Sequence, residues 1–147
     1  MMKVLDTVEL IIREKQGEMW SISPDATVYE ALEIMSDKEV GALLVLERGH
    51  VVGILSERDY ARKIILKNRS SRDTKVREIM NAPAVTVSPA CTVDEAMQLM
   101  TDRRIRHLPV VDSVGRLLGI ISIGDLVKWT ITSHEKTIEQ LQNYITG

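Results

Sequence analysis

The chain has 147 residues, 44% hydrophobic and 27% charged, the balance of an ordinary globular protein of about one domain's mass. Its net charge of −2 gives no overall basic field for a nucleic acid or an anionic membrane. Apolar runs such as 42–46 are far too short to cross a bilayer, the start Met1-Met2-Lys3-Val4 lacks a secretory apolar stretch, and the lone Cys91 excludes an internal disulfide; a cytoplasmic protein is expected.

Val4, Val8, Ile11 and Ile12 fall at helical spacing and predict an amphipathic helix over 4–15, ended by Gly17. A short alternating piece over 19–22 follows, then a turn at Ser23-Pro24-Asp25. Thr27 caps the next helix, with Glu30 at the capping-box position and Val28, Ala31, Leu32 and Met35 as the inner stripe. Residues 40–46 read as a buried strand, Glu47-Arg48-Gly49-His50 as a hairpin turn, and 51–55 as the return strand. Ser56 opens a helix expected to face Tyr60, Ala61, Ile64 and Ile65 inward and Arg58, Arg62, Lys63 and Lys67 outward. Residues 68–75 look like a polar linker, and 76–80 like one helical turn.

The pattern then restarts. Val85-Thr86-Val87-Ser88-Pro89 answers 20–24, and Thr92-Val93-Asp94-Glu95-Ala96 answers 27–31. Leu108 and Val110 answer Leu43 and Val45. The offset is 65 residues, and becomes 66 after one extra residue in the turn Asp112-Ser113-Val114-Gly115. Gly53-Ile54-Leu55-Ser56-Glu57-Arg58-Asp59 returns as Gly119-Ile120-Ile121-Ser122-Ile123-Gly124-Asp125. The chain is a tandem repeat of a β-α-β-β-α unit, an α/β (α+β) fold in which two small sheets pair about a pseudo-twofold axis. The expected halves are 1–75, with the N-terminal helix and linker, and 76–147, with the C-terminal helix. That last helix overruns the repeat. Val127, Ile131, His134, Ile138, Leu141 and Ile145 step alternately by four and three, as in a heptad seam, and either terminal stripe is a candidate homodimer contact.

The Ser-x-x-Asp junctions carry two physical readings. One is a plain helix start, with serine as N-cap and the acid favoured by the helix dipole. The other uses the same free N–H groups as an anion seat, with the aspartate turned outward to accept from a ribose diol. Two copies in matching contexts favour the second reading. Arg58 lies in a first helical turn, where a cation is disfavoured, which hints at an anion nearby.

Each half resembles a CBS domain, and the pair resembles a Bateman module of the stand-alone bacterial type. The resemblance rests on the Thr-Val-x-Glu-Ala helix starts at Thr27 and Thr92, the strand Arg106-His107-Leu108-Pro109-Val110-Val111, and the two junctions; it covers about 15–130. It implies an adenosine-containing ligand in a cleft between the repeats: AMP, ADP, ATP or NAD(H), with S-adenosylmethionine ranked behind them. It implies a disc-shaped homodimer. Carried over by position, Asp59 and Asp125 would hold ribose hydroxyls, Ser56 and Ser122 would meet the ribose–phosphate side, and Arg106 and His107 would face phosphate. The first half has Gly41 and Ala42 where the second has Arg106 and His107, so the two sites should differ. Adenine would lie against Trp20 and Ile22 with Ile120 and Ile121, or against Met80, Pro83 and Val85 with Ile54 and Leu55; Ile54, Val85 and Ile120 are singled out.

Catalysis finds little support. The three histidines are scattered, and no HExxH motif, cysteine pair, Gly-x-Ser-x-Gly elbow or Walker A sequence is present. The reading is therefore a non-enzymatic adenine-nucleotide sensor for signal transduction or energy sensing, read by an unidentified partner protein. The rival is a structural or interaction module with vestigial clefts. Nucleic-acid binding through the face 58–67 is disfavoured, because 3% aromatics leave few stacking platforms.

Overall fold

The computed structural model describes residues 5–15 and 19–146, with side chains through Asn143; the expected helix positions Val4 and Gly17 and the side chain of the seam residue Ile145 lie outside what is described. The chain forms two compact units of mixed α and β structure. One comprises Gly17–Val85 and Ser113–Leu117, the other Met1–Gln16, Thr86–Asp112 and Leu118–Gly147. These units are not the sequence halves 1–75 and 76–147. The helix at the N-terminus packs in the unit built on the second repeat, and the residues after 75 pack in the unit built on the first.

In the first-repeat unit, β1 (Ser21–Ile22) pairs parallel to β2 (Ala42–Glu47), which pairs antiparallel to β3 (His50–Ser56). Arg48 and Gly49, at φ 53 and 80, make the two-residue turn, whose positive φ values match the twist of the strands it joins. Helix α2 (Val28–Lys38) starts on the expected box: Thr27 Oγ1 accepts from the Glu30 amide at 3.1 Å, and the Glu30 carboxylate accepts from the Thr27 amide at 3.2 Å. Val28, Ala31 and Met35 face Leu43, Val45 and Leu55 in one core, with Leu32 half-buried beside it. Each aliphatic side chain so buried contributes roughly 1.5–3 kcal/mol.

After β3 come α3 (Glu57–Tyr60) and a π-helical turn, Ala61–Ile65, closed by the Leu66 amide donating to the Ala61 carbonyl at 3.0 Å. This turn corrects the expected inner face. A π turn holds more residues than an α turn and rotates the side chains beyond it. Ile64 stays buried, but Ala61 and Ile65 are exposed, and Lys63 turns partly inward. The expected linker at 68–75 is tied to α2: the Val28 amide donates to Thr74 and the Tyr29 amide to Ser71, and Thr74 is buried. Helix α4 (Val76–Ile79) comes next.

The second-repeat unit holds α1 (Val8–Glu14), α5 (Val93–Arg103), β4 (His107–Val111), β5 (Leu117–Ser122) from its second residue on, and α6 (Ile123–Thr146). β4 and β5 are hydrogen-bonded neighbours. The stretch 85–89, the sequence counterpart of 20–24, makes one parallel bridge here, Val87 to Val110. Pro109, without an amide proton, still accepts there: the Val87 amide donates to its carbonyl at 3.0 Å. The apolar face of α1 is spent inside this unit, with Val8 and Ile11 buried, so that stripe is not left as a dimer contact. The stripe on α6 differs: Val127, Ile131, Ile138 and Leu141 are all exposed.

The two lead helices are counterparts. The Val28 amide donates to Thr74 and the Val76 amide to Ala26; likewise the Val93 amide donates to Asp6 and the Val8 amide to Cys91. Val8 therefore answers Val76, Ile11 answers Ile79, and Ile12 answers Met80. Ile12 lies on Gly119 and Met80 on Gly53. Both glycines give strand backbone close access to the lead helix, but the surroundings differ. A Cβ on Gly53 would stand 2.9 Å from the Asn81 backbone carbonyl, whereas the three nearest atoms to one on Gly119 all belong to the Ile12 side chain. Overpacking of this kind costs about 1–3 kcal/mol when the neighbour cannot move. Gly53→Ala should fall in that range by urea unfolding, and Gly119→Ala should cost less; the reverse order would contradict this packing.

Candidate functional site

Both junctions are capping boxes. At the first, β3 runs extended into Ser56 (φ −120, ψ 163), and Ser56 Oγ accepts from the Asp59 amide at 3.2 Å. Asp59 Oδ2 accepts from the Ser56 amide and from the Ser56 hydroxyl, each at 2.9 Å. Asn81 then covers the carboxylate. Its Nδ2 donates to Oδ1 at 2.9 Å and to Oδ2 at 3.1 Å. Lys63 Nζ, delivered by the π turn, stands 3.5 Å from Oδ1 while donating to the Ile79 carbonyl at 2.8 Å. Asp59 is 7% exposed. Its carboxylate is a buried charge with both oxygens engaged, and α3 is one turn long.

At the second, the Ser122 amide donates to Asp125 Oδ2 at 2.8 Å and the Asp125 amide to Ser122 Oγ at 3.1 Å. The helix begun there, α6, has 24 residues, so its N-terminal dipole is fully developed. Here the covering group is Lys15, just past α1. Its ammonium donates to Asp125 Oδ2 at 2.8 Å and to the Ile120 carbonyl at 3.0 Å. The Asp125 side chain is 25% exposed and that of Lys15 is 37% exposed. Burial pushes the Asp125 carboxyl up, but the hydrogen bonds from Lys15 and the Ser122 amide more than offset it, and the acid is held below its ordinary range.

His107 opens β4 beside this group. Burial and the Lys15 charge hold its imidazole below the ordinary histidine value, Asp125 pulls the other way, and Arg106 adds to the lowering. The ring is therefore neutral at neutral pH. Arg106 is exposed, and its carbonyl accepts from the Ile123 amide at 2.9 Å; in the other unit the Gly41 carbonyl accepts from Glu57 at 3.0 Å. The backbone of the two junctions is thus the same, and only the side chains differ.

The candidates divide between the units. Trp20, Ile22, Ile54, Ser56, Arg58, Asp59 and Val85 belong to the first-repeat unit. Arg106, His107, Ile120, Ser122 and Asp125 belong to the second-repeat unit. Ile22 is buried in the core cluster of this unit. Trp20 is half-buried, with Lys38 Nζ 4.4 Å from its ring centre. Ile54 exchanges two backbone hydrogen bonds with Asn81, at 3.1 and 2.9 Å. Val85 and Ile120 are half-buried, and Arg58 is exposed. The sequence alone does not single out Lys15, Lys63 or Asn81. The signal available for Lys15 and Asn81 is position: each lies just past a lead-helix apolar pattern that ends on a strand glycine. Among the described residues no cluster of histidine, cysteine or acids could hold a metal ion, and no helix is long and apolar enough to cross a membrane.

Comparison with known proteins agrees with this architecture. The CBS-domain family model matches residues 9–66 and 76–131. The chain is 45% identical over 134 residues to the mitochondrial CBS domain-containing protein CBSX3 of Arabidopsis thaliana, covering 88% of this chain and 64% of that relative. The chain thus spans less than two thirds of that protein's length. A CBS-domain protein structure from Burkholderia ambifaria MC40-6 superposes with a TM-score of 0.81 at 46% identity, covering 86% of this chain and 94% of that one. The structure of CBSX2 in complex with AMP superposes with a TM-score of 0.72 at 26% identity, covering 87% and 98%. With two matched domains in sequence, each ending in the same Ser-x-x-Asp junction, the chain belongs to the CBS-domain family as a tandem pair.

Proposed function

We propose that this chain is a regulatory module without catalysis of its own, that it binds an adenine nucleotide at the Asp125 junction, and that a partner protein reads the bound state. The observation that carries this reading is the Asp125 group itself. A carboxylate at the start of a long helix is covered by one part-exposed lysine, with Ser122, Arg106 and His107 around it. A ribose diol can take the carboxylate from Lys15, and the freed ammonium remains within its own tether of a phosphate. Arg106, His107 and the α6 N-terminus add further donors for that anion. The AMP held by the CBSX2 relative supports an adenosine ligand. AMP leads, with ATP and NAD(H) as alternatives and S-adenosylmethionine behind them.

The rival reading, an interaction module whose serine and aspartate only cap helices, has a specific observation in its favour: both aspartates accept from their own serine amides. Binding separates the two. Isothermal titration with AMP, ATP, NADH and S-adenosylmethionine should give heat with at least AMP. Asp125→Asn should weaken that ligand by roughly tenfold or more, the scale of one charged hydrogen bond. No heat with any of the four would leave the caps as mere caps.

Proton linkage gives a second check. A phosphate beside His107 raises its lowered pKa, so binding takes up a proton and tightens as pH falls from neutral through the ordinary histidine range. The phosphate's own titration at about pH 6 opposes this and is coupled to His107, so the net uptake of the pair is what the comparison reads. Titrations in buffers of different ionisation heat should therefore show more proton uptake by the native chain than by His107→Gln; equal uptake would remove His107 from the site.

The same reading makes the module a homodimer through α6, whose exposed Val127, Ile131, Ile138 and Leu141 follow a heptad. Light scattering should find a dimer in the native chain and a monomer in Ile131→Glu/Ile138→Glu. A native monomer would refute the seam.

A further inference from the structure

The two junctions share a backbone and differ in what covers the aspartate. Lys15 contacts Asp125 on one oxygen, Oδ2, through a flexible arm whose charge returns to water or to a phosphate when displaced. Asn81 contacts both oxygens of Asp59, and its own backbone is pinned on either side by hydrogen bonds to Ile54. Lys63, like Lys15 part-exposed and bonded to a backbone carbonyl, donates to Ile79 and stands 3.4 Å from Asn81 Oδ1, so the amide of Asn81 is what distinguishes this junction. Removing Asn81 from Asp59 would strip donors from a buried carboxylate without moving the peptide that carries them.

The lead helices explain why only one junction is closed this way. With Val8 answering Val76 and Ile12 answering Met80, the counterpart of Asn81 is Arg13, and the counterpart of Lys15 is Pro83. Arg13 is exposed and pairs with Glu9 on its own helix at 2.9 Å. Pro83 has no side-chain donor. The first junction therefore has a fixed amide on its aspartate and no releasable cation from the lead segment. The second has a releasable cation and no fixed amide. The basic pair Arg106-His107 also falls only at the second, where the first has Gly41 and Ala42.

We propose that nucleotide occupies one junction per chain, that of Asp125, and that Asn81 is the residue that closes the Asp59 junction. This rests on the nucleotide-binding function proposed for the Asp125 junction and assigns Asn81 an occupancy-determining role within it. Asp59, Lys63 and Asn81 then form a structural network that holds the π turn against the segment after α4.

Titration of the full chain with AMP tests it. The expected stoichiometry is one AMP per chain. Asp59→Asn should leave AMP affinity within about twofold, whereas Asp125→Asn should weaken it by roughly tenfold or more. Asn81→Ala keeps the backbone pairing with Ile54, removes the amide from both Asp59 oxygens while the Ser56 bonds to Oδ2 remain, and should add a second, weaker AMP per chain. Two equal AMP sites in the native chain, or equal loss from the two aspartate variants, would overturn the proposal while leaving nucleotide binding intact. A well-folded Asn81→Ala chain that still binds one AMP would overturn the role of Asn81. No AMP heat in the native chain would remove the functional reading and this inference with it. Should Asn81→Ala fail to fold, Asn81→Asp, which sets a like charge against Asp59, replaces it: a second AMP in that variant also supports closure, and unchanged single occupancy counts against it.

Discussion

The structure depends on a reciprocal pair of hydrogen bonds at the point where a strand becomes a helix. The first amides of a helix have no intrahelical partner, and an aspartate at the third position answers one while the serine answers another. At Ser56–Asp59 and Ser122–Asp125 this pairing fixes where each β3-like strand stops and which way the carboxylate faces. The same bonds limit what the carboxylate can do next. A ligand that takes Asp125 must supply or tolerate a partner for the Ser122 amide, a cap contribution on the order of 1 kcal/mol. Under the proposed function, nucleotide binding and local helix stability would be coupled at this one residue, and a ligand shifts a conformation only through its differential affinity.

The lead helices turn a symmetric repeat into an asymmetric one. Their apolar faces are equivalent, Val8 with Val76 and Ile11 with Ile79, all buried. Their ends are not. The last turn of α1 releases Lys15 towards Asp125, and the end of α4 delivers Asn81 to Asp59. Because each lead helix packs in the unit of the other repeat, the residue that covers an aspartate lies far from it in sequence at Asp125, 110 positions away, and nearer at Asp59, 22 positions away. A backbone scaffold common to both units thus carries two different electrostatic settings.

Much of this is legible in the sequence. The capping box at Thr27 and the junctions at Ser56 and Ser122 depend on contacts three residues apart, which spacing reveals directly. The buried stripes of α2 and α5 follow from helical periodicity, and the tight turn at Arg48-Gly49 from its glycine. The misses share a cause: they depend on contacts between distant segments or on a local shift of period. Nothing in 61–65 announces a π turn, so Ala61 and Ile65 read as inward when they are exposed. The lead helices repeat at an offset of 68 rather than 65, with only apolar identity to mark them, so their exchange between units is hidden from pattern alone. Lys15 and Asn81 take their places through that exchange, and their position just past each lead-helix apolar pattern is the one signal the sequence offers for either.

A crystal structure of the AMP complex tests the central claim most directly. Ribose hydroxyls are expected within hydrogen-bonding distance of the Asp125 carboxylate, with Lys15 drawn off it towards the phosphate and Asn81 unmoved on Asp59. AMP bound with Lys15 still seated on Asp125 and the ribose held elsewhere would contradict it.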